Sequence, residues 1–594
     1  MSPIRYRIEL LDLNAHLYAV RTQIAEPDRA GQVFTLPTWI RGSYLIRDFA
    51  KHIVRLRAEC RGQPLACTRL DTRSLRCAPC GGPLELYGEV YAFDPSVRKT
   101  YLDAERGFFN PGSLCYRAVG ADGAGCELEL PVPTAPACTG WRVYTAADPA
   151  RCDVRGWGSY RFADYAALLD HPFALGAQRR IDFAVDGIPH ALVLAGDGAA
   201  DETRLATDLQ AICSAQRALF DHRPQHRRYV FLCQLTASGH GGLEHRNSAA
   251  LVAARDAMPR PGEPATRNGY RGFLGLVSHE YFHQWNVKRI TPRAFAESDL
   301  GRPAYSRDLW AYEGVTSYYG DLFLLRSGRI DAPVYLDLLA QTATRLQRSP
   351  GHAIQTLADA SFEAWIKYYQ PDEDSPNSTV SYYVKGALVA LLLDLRLRRA
   401  GRGDLDTVMR ALWARYGGPE KPAPEGALEA AAAECSGLDL SEFFDSTLRS
   451  TAPLPLAEAL SGFGVAAELR PARGEDDPGG RHAGAPAAAD LGLRLRPRQT
   501  VIAHLTRGGP AEVAGLAAGD QILAIDGERI GADNWLRRVQ VLKHGEPVQV
   551  TLFRDNRLRS QTLVPRQPPA DTWTFTLATV DGETAQRRID WLGV

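Results

Sequence analysis

The pattern of apolar and polar positions divides the chain into regions of different secondary structure. From residue 6 to about residue 173, short stretches alternate apolar and polar side chains, as at residues 5–10 and 32–36, and Gly and Pro turns separate them. A period of two is typical of strands with one buried face. We therefore predict a β-rich, β-sandwich-like domain over residues 1–170.

The next region changes to helical spacing. Apolar side chains recur every three or four positions at residues 203–220, 273–287, 310–326 and 384–399. This spacing places them on one face of a helix. Residues 171–470 are therefore predicted to form a mainly helical domain.

The last region combines a polar stretch with a compact module. Residues 471–489 lack apolar periodicity and are rich in Gly, Pro and Ala, so we predict a linker or a mobile loop there. Residues 490–570 again alternate strands with turns and leave room for one or two short helices. The remaining residues 571–594 are assigned to a C-terminal tail. The predicted fold class is multidomain α+β.

Composition and charge exclude several classes of protein. Apolar residues make up 45% of the 594 residues and charged residues 23%, which is typical of folded globular proteins. Lys plus Arg equals Asp plus Glu at 69 each, so no net field favours nucleic acid or an anionic membrane surface. The longest apolar stretch, residues 387–393, is far shorter than the roughly 20 residues that span a bilayer. We expect neither a nucleic-acid partner nor a membrane partner.

The first residues and the cysteines predict a cytoplasmic protein. Residues 1–9 contain no apolar core of signal-peptide length. The 11 cysteines are an odd number and lack the dense, even framework of a small secreted domain. Cys77 and Cys80 form a single CxxC with no second pair at zinc-ribbon spacing. We interpret the cysteines as reduced, buried or loop thiols.

A candidate metal-binding motif lies in one of the predicted helices, where residues 279–283 read His-Glu-Tyr-Phe-His. Positions i and i+4 share a helix face, so His279 and His283 can direct their imidazoles at one metal ion, with Glu280 beside it. Imidazole and carboxylate ligands suit zinc, and the open fourth position takes a water whose pKa the metal lowers. The motif predicts one zinc ion per chain and Glu280 as the general base.

A catalytic zinc site needs a third protein ligand. Glu313 lies at the start of the next amphipathic helix, in Trp-Ala-Tyr-Glu-Gly at residues 310–314. Glu297 and Asp299 compete for this role, but they lie in a polar stretch without helical spacing that is typical of a solvated loop. Glu313 is therefore the predicted third ligand.

These motifs resemble those of a known family. HExxH followed by Trp-x-x-Glu-Gly is similar to the gluzincin metallopeptidases, and the sequence at residues 279–290 is similar to the glycyl aminopeptidases that carry a C-terminal PDZ domain. Residues 36–48 resemble the signature of that family's N-terminal β-domain, with Arg41 in place of the expected Pro. The resemblance covers almost the whole chain and implies a thermolysin-like zinc peptidase domain. We expect Arg41 to affect a turn and not the chemistry.

The resemblance also implies a substrate-binding strand. Gly-Gly-Leu-Glu-His at residues 241–245 looks like the Gly-x-Met-Glu-Asn strand of related aminopeptidases, whose Glu binds the free α-amine of the substrate. Glu244 is therefore the expected amine anchor, with Gly241 and Gly242 beside the substrate. Without the zinc motif, a Gly-rich turn with a surface Glu would be the ordinary interpretation.

A further segment implies an oxyanion donor. Residues 381–386, Ser-Tyr-Tyr-Val-Lys-Gly, are similar to the Tyr-Glu-Lys-Gly segment of gluzincin aminopeptidases. Alignment on Lys385 and Gly386 implies that Tyr383 donates a hydrogen bond to the tetrahedral oxyanion. Tyr382 is the alternative by one residue, and either ring can also pack in the core.

The C-terminal module resembles a PDZ domain in the order of its motifs at residues 490–494, 509–516 and 519–527. Leu491, Gly492 and Leu493 would then form the loop that captures the C-terminal carboxylate of a partner peptide with backbone amides. Two alternatives stay open: a groove closed by the protein's own chain, and a groove that packs against the catalytic domain.

Residues and resemblance together predict a zinc aminopeptidase acting on peptides with a free N-terminus. The preference for small N-terminal residues, Gly or Ala, follows from the family alone. The alternatives are a zinc endopeptidase that captures chain ends in the PDZ groove and an inactive PDZ binding protein.

Overall fold

The computed structural model describes residues 2–220, 226–263 and 267–594. The chain forms two compact units, Met1–Ala304 with Trp413–Ala423, and Tyr305–Leu412 with Pro424–Val594. The predicted helical domain of residues 171–470 therefore contributes to both units.

The first unit begins with a region of strands, as the alternating pattern predicts. The strands and a short helix of this region are β1 (Ile4–Asp12), β2 (Leu17–Ile24), β3 (Val33–Thr35), β4 (Ile53–Cys60), β5 (Gln63–Leu65), β6 (Cys67–Arg69), β7 (Ser74–Cys77), β8 (Leu84–Tyr91), β9 (Thr100–Leu102), β10 (Arg106–Phe109), β11 (Arg117–Ala118), β12 (Cys126–Leu130), β13 (Arg142–Tyr144), β14 (Pro149–Cys152), β15 (Gly158–Phe162), α1 (Tyr165–Leu169) and β16 (Phe173–Gly176).

These strands form stacked sheets around an apolar core. One sheet has the order β14-β15-β12-β1-β2-β8-β4-β5, and two others have the orders β13-β16-β10-β9 and β11-β3-β7-β6. In β1, Ile4, Tyr6 and Ile8 are buried, whereas the residues between them are more exposed. One face of the sheet therefore covers the core, and the prediction of a β-rich domain is confirmed.

A second kind of sheet follows in the first unit. Its strands are β17 (Arg179–Val185), β18 (Ile188–Ala195), β19 (Tyr229–Thr236), β20 (His240–Glu244) and β21 (Ser248–Ala254). They are ordered β17-β18-β19-β21-β20, so β20 ends the sheet and pairs antiparallel with β21. The apolar pattern does not predict this sheet, because a continuous apolar run such as residues 190–195 fits a buried strand as well as a buried helix.

The helices of the first unit include α2 (Glu202–Leu219), α3 (Asn268–Phe282) and α4 (Arg293–Ala296). In α3, the buried side chains of Phe273 and Val277 recur at helical spacing. This apolar face packs α3 in the core of the unit, and the helix lies against β20. The predicted helix at residues 273–287 is therefore confirmed, with its end close to His283.

The second unit is mainly helical over residues 310–412 and 427–461. A π-helical turn at Trp310–Gly314 precedes α5 (Val315–Arg326), α6 (Ala332–Gln347), α7 (Leu357–Phe362), α8 (Ser375–Ser378), α9 (Tyr382–Arg399), α10 (Leu405–Leu412), α11 (Ala427–Ser436), α12 (Ser441–Leu448) and α13 (Leu456–Ser461). Helix α9 begins where Ser381 Oγ accepts a hydrogen bond from the backbone N–H of Val384. Its buried Asp394 accepts hydrogen bonds from Tyr318 and Arg398, which compensate the buried charge.

The C-terminal module follows the predicted PDZ order. Its elements and the strands that flank it are β22 (Val465–Pro471), β23 (Leu493–Leu495), β24 (Ile502–Leu505), α14 (Pro510–Val513), β25 (Gln521–Ile525), β26 (Glu528–Arg529), α15 (Trp535–Gln540), β27 (Val548–Arg554), β28 (Arg557–Leu563), β29 (Ala570–Leu577) and α16 (Gly582–Leu592). Strand β29 pairs antiparallel with β22. The residues assigned to a C-terminal tail therefore contain a strand and a helix.

The stretch at residues 472–488 contains neither helix nor strand, yet hydrogen bonds hold it at one point. Asp477 is buried and accepts backbone N–H groups from Arg473 and Gly479 at 2.9 and 3.0 Å. Arg470 forms an ion pair with the same carboxylate. A polar segment of this composition is thus anchored through one carboxylate.

Across residues 2–220, 226–263 and 267–594, no helix is both long enough and apolar enough to cross a membrane.

Candidate metal and catalytic site

Helix α3 brings the two histidines of the HExxH motif together. The Nε2 atoms of His279 and His283 lie 3.0 Å apart on one face of the helix end. His283 is 1% exposed, and its Nδ1 lies 2.8 Å from the carbonyl oxygen of Asn286. A neutral imidazole that donates from Nδ1 presents a lone pair at Nε2, so the Asn286 carbonyl orients His283 for a metal ion.

The donor set fits a zinc ion. Two imidazole nitrogens that both present lone pairs at this separation repel each other unless a cation lies between them. Zinc accepts such nitrogens together with a carboxylate. A second cluster in the same unit brings Glu244, Glu280 and His283 together, with one ligand atom of each within 4.8 Å of the others. A metal held by Glu280 would consume the only carboxylate inside the HExxH motif, so the histidine pair is the better metal site.

Strand β20 lies directly against Glu280, the predicted general base. Glu280 is 5% exposed, and a Cβ added to Gly242 would lie 2.2 Å from Glu280 Oε1. Any side chain at position 242 would therefore displace the carboxylate, which explains why this strand needs glycine at that position. The strand carries Glu244 two residues further on, on the same face.

The Glu244 carboxylate is packed by a turn of the N-terminal region. Glu244 is 3% exposed, and a Cβ added to Gly42 would lie 2.3 Å from Glu244 Oε1 and 2.4 Å from Oε2. Gly42 has a φ of +94°, a left-handed conformation that favours glycine. The expectation that Arg41 affects a turn and not the chemistry stays a prediction, while the next residue, Gly42, lies against the predicted amine anchor.

Sequence reasoning did not identify Gly42 or Arg98. The Arg98 guanidinium donates to the carbonyl oxygen of Gly242 at 2.9 Å and so holds β20 from the N-terminal region. The carbonyl oxygen of Gly242, a predicted substrate-binding residue, therefore already accepts a hydrogen bond from within the protein. The signature glycine at position 42 was a visible signal, whereas an isolated arginine in a β-rich region carried none.

A cavity of about 750 Å³ opens beside Glu244 in the first unit. Its lining includes Arg41, Asp170, His245 and Lys288. Asp170 and Lys288 form an ion pair at 2.5 Å. Burial lowers the pKa of His245 to about 3, so this imidazole is neutral near pH 7. The cavity therefore offers polar walls next to the predicted amine anchor.

Glu313 lies in the π-helical turn of the second unit and is 2% exposed. A Cβ added to Gly314 would lie 2.5 Å from the Cα of Gly386, so the turn and α9 approach through a pair of glycines. This close approach sets Glu313 beside the first turn of α9. The competing carboxylates Glu297 and Asp299 are both exposed, and Asp299 forms an ion pair with Arg73.

The two candidate oxyanion donors differ in access. Tyr382 is fully buried at the start of α9, whereas the next ring, Tyr383, is partly exposed. Burial and the nearby Glu313 carboxylate raise the pKa of Tyr383, so its phenol keeps its proton. The hydroxyl of Tyr369 lies 3.2 Å from that of Tyr383. A protonated phenol with access to solvent favours Tyr383 over Tyr382.

The predicted carboxylate loop of the C-terminal module has an internal partner. Gly492 adopts a φ of +66°, and its N–H donates to Asp490 Oδ1 at 2.9 Å. Leu491 and Leu493 are buried in the core of the module. At least one of the amides expected to bind a peptide carboxylate is therefore occupied within the chain.

Comparison with known proteins agrees with this organisation. The chain matches a family model described as M61 glycyl aminopeptidase over residues 272–389, the M61 N-terminal domain over residues 5–177 and a PDZ domain over residues 489–563. The first of these ranges contains the HExxH motif, Glu313 and Tyr383.

Two relatives illustrate the range of similarity. An aminopeptidase N family protein from Idiomarina loihiensis, solved by crystallography, is 36% identical with a TM-score of 0.95, covering 99% of this chain and 100% of that one. Zinc metalloprotease RasP from Geobacillus kaustophilus is 37% identical over 86 residues, which cover 14% of this chain and 18% of RasP. The chain thus spans less than a fifth of that curated relative.

The helix-borne histidine pair, the buried glutamates and the modular order define a class of protein, the metallopeptidases. Within this class, the chain belongs to the M61 glycyl aminopeptidase family.

The close approach of β20 to the general base predicts the effect of a single methyl group. Gly242→Ala should lower kcat by about 100-fold or more, because the added Cβ displaces the Glu280 carboxylate. Gly272→Ala on α3 is the matched control, since a Cβ there meets nothing within 4 Å. Initial rates on glycyl p-nitroanilide and circular dichroism test this, and a Gly242→Ala variant as active as Gly272→Ala would contradict it.

Proposed function

We propose that the protein is a zinc aminopeptidase that removes small N-terminal residues from peptides. The observation that carries this proposal is the buried Glu244 carboxylate, which lies with Glu280 and His283 in one cluster whose ligand atoms are within 4.8 Å of each other. An anionic group so close to the catalytic helix neutralises a substrate ammonium and fixes which peptide bond reaches the metal.

His279, His283 and Glu313 would hold the zinc ion. The facing Nε2 atoms support the two histidines. Glu313 belongs to the second unit, and its assignment comes from family membership and from its buried position beside α9. When bound, zinc supplies a water of lowered pKa and polarises the scissile carbonyl.

Two side chains would move or hold protons during the reaction. Glu280 takes the proton of the attacking water and delivers it to the leaving amine. Tyr383 donates a hydrogen bond from its phenol to the oxyanion, and its raised pKa keeps that donor protonated. Both residues thus favour the transition state over the bound substrate.

Glu244 would bind the substrate's free amine and make the enzyme an exopeptidase. The backbone of Gly42 lies in contact with the Glu244 carboxylate. Because the Gly42 backbone covers one side of the Glu244 carboxylate, only part of that carboxylate is accessible. A small group such as a terminal ammonium fits this restricted access. A preference for N-terminal Gly follows from the description of the family as glycyl aminopeptidases.

The role of Glu280 predicts separable effects on metal content and rate. Glu280→Gln should bind stoichiometric zinc and lose about 100- to 10,000-fold in kcat, because the amide cannot accept the proton of water. Elemental analysis and rates on glycyl and alanyl p-nitroanilides provide the measurement. An active variant, or a native chain without zinc, would sink the metallopeptidase mechanism.

The anchor role of Glu244 predicts selectivity for free amines. Glu244→Gln should lower kcat/KM on glycyl amides by about 10- to 150-fold, because a charge-assisted hydrogen bond contributes about 1.5–3 kcal/mol. Cleavage of an N-acetylated peptide, followed by mass spectrometry, is the comparison. If the native chain cleaves blocked peptides and the substitution affects both substrates equally, an endopeptidase replaces the aminopeptidase.

The Gly42 contact predicts a defect that acts through Glu244. Gly42→Ala should raise KM for glycyl amides at least about tenfold, since its Cβ displaces the anchoring carboxylate. Gly62→Ala is the matched control, because Gly62 also has positive φ, +75°, but open space around its Cα. In the double variant with Glu244→Asp, the shorter side chain should relieve the clash, so the two effects combine less than multiplicatively. Independent, multiplicative effects would argue against the contact.

A further inference from the structure

The groove of the C-terminal module lies between strand β23 and helix α15, the two elements that bind an added peptide strand in a PDZ domain. Trp535 is the first residue of α15, and Arg494 lies in the middle of β23. These two residues thus belong to the two elements that flank the groove. What they contact decides whether the groove is open to a partner.

Glu475, from the polar stretch before the module, contacts α15. Its Oε1 accepts a hydrogen bond from Trp535 Nε1 at 2.9 Å. Burial raises the pKa of the Glu475 carboxyl, and the nearby Arg494 guanidinium opposes that rise. A carboxylate from the same chain thus lies against the start of α15, close enough to Arg494 of β23 to feel its charge.

The apolar side chains of the predicted carboxylate loop and of α15 belong to the module's own core. Leu491, Leu493, Val539 and Leu542 are each between 5% and 8% exposed. The first two belong to the predicted carboxylate loop and the last two to α15 and its end. Their burial comes from packing within the module, so the evidence for occupancy is the contact between Glu475 and α15.

The segment that carries Glu475 is fixed on both sides of it. Two residues later, the Asp477 carboxylate accepts the N–H of Arg473, and its carbonyl accepts from Arg348 of the helical body at 2.7 Å. Arg481 forms an ion pair with Asp337 of α6. Because these contacts already restrain the segment, binding of the Glu475 side chain to the module costs less conformational entropy.

The module is also attached to the helical body at the end of β24. Asn377 donates to the carbonyl of Leu505 at 2.9 Å and accepts the N–H of Arg507 at 2.9 Å. The Arg507 guanidinium pairs with Asp374. All of these residues belong to the second unit, so the module is held at one end by this contact and at the groove by the segment.

We propose that residues 473–477 are the resident ligand of the PDZ groove, with the Glu475 side-chain carboxylate as the group recognised, and that this occupancy excludes a C-terminal peptide. Of the two alternatives that the sequence left open, this is closure of the groove by the chain itself. The inference does not depend on the catalytic assignment, because it uses neither the metal site nor its ligands.

Hydrogen–deuterium exchange on the full-length chain tests this occupancy. Glu475→Ala should accelerate exchange in peptides covering residues 473–480 and 535–542 by about tenfold or more, because the hydrogen bond to Trp535 is lost. Asp476→Ala is the matched control, since the neighbouring carboxylate is exposed. Glu475→Gln, which keeps the size of the side chain and removes its charge, should give an intermediate increase.

Peptide binding provides the second readout. An N-terminally fluoresceinated hexapeptide that ends in Val with a free carboxylate, and its C-terminal amide, would be titrated against each variant by fluorescence anisotropy. The native chain and Asp476→Ala should bind neither peptide. Glu475→Ala should bind the peptide with the free carboxylate more tightly than the native chain does. Exchange in Glu475→Ala equal to that in Asp476→Ala, or binding of the free carboxylate by the native chain as tight as by Glu475→Ala, would overturn the proposal.

Discussion

The catalytic architecture depends on the close approach of strand β20 to helix α3. A helix end alone sets two histidines on one face, but it cannot supply the proposed amine-binding carboxylate or hold the proposed general base in one position. Both tasks fall to β20, whose Gly242 admits the Glu280 carboxylate and whose Glu244 lies two residues on. Because a packed interior transmits the volume of one methyl group, the distance between strand and helix controls the chemistry.

A similar approach through glycines occurs within the second unit. Gly314 and Gly386 allow the π-helical turn to reach α9, so that Glu313 lies beside the first turn of the helix that carries Tyr383. In each unit, therefore, a glycine lets the backbone come close to a neighbouring group, which is a carboxylate in the first unit and the backbone of α9 in the second. These backbone contacts position the proposed functional side chains. Such positioning costs little conformational entropy when substrate binds.

Local spacing was enough to predict some of these features from the sequence. The HExxH pattern, the helices at α3, α5 and α9 and the PDZ order all follow from residues close to one another in the chain. The strands β17 to β21 could not be predicted in this way, because buried strands lack the alternation that distinguishes a strand from a helix. Gly42 and Arg98 were missed for a different reason, since their partners on β20 lie far away in sequence and only the folded chain brings them together.

The polar stretch before the PDZ module shows why composition is a weak guide to order. A Gly-, Pro- and Ala-rich segment cannot bury enough apolar area to fix itself, which is the basis of the linker prediction. It is fixed here by Asp477, whose single buried carboxylate satisfies two backbone amides and pairs with Arg470. Once that carboxylate holds the turn, Glu475 is brought to Trp535 at little further cost. A charged residue that would be a solvated loop residue in isolation thereby becomes the proposed ligand of the PDZ groove.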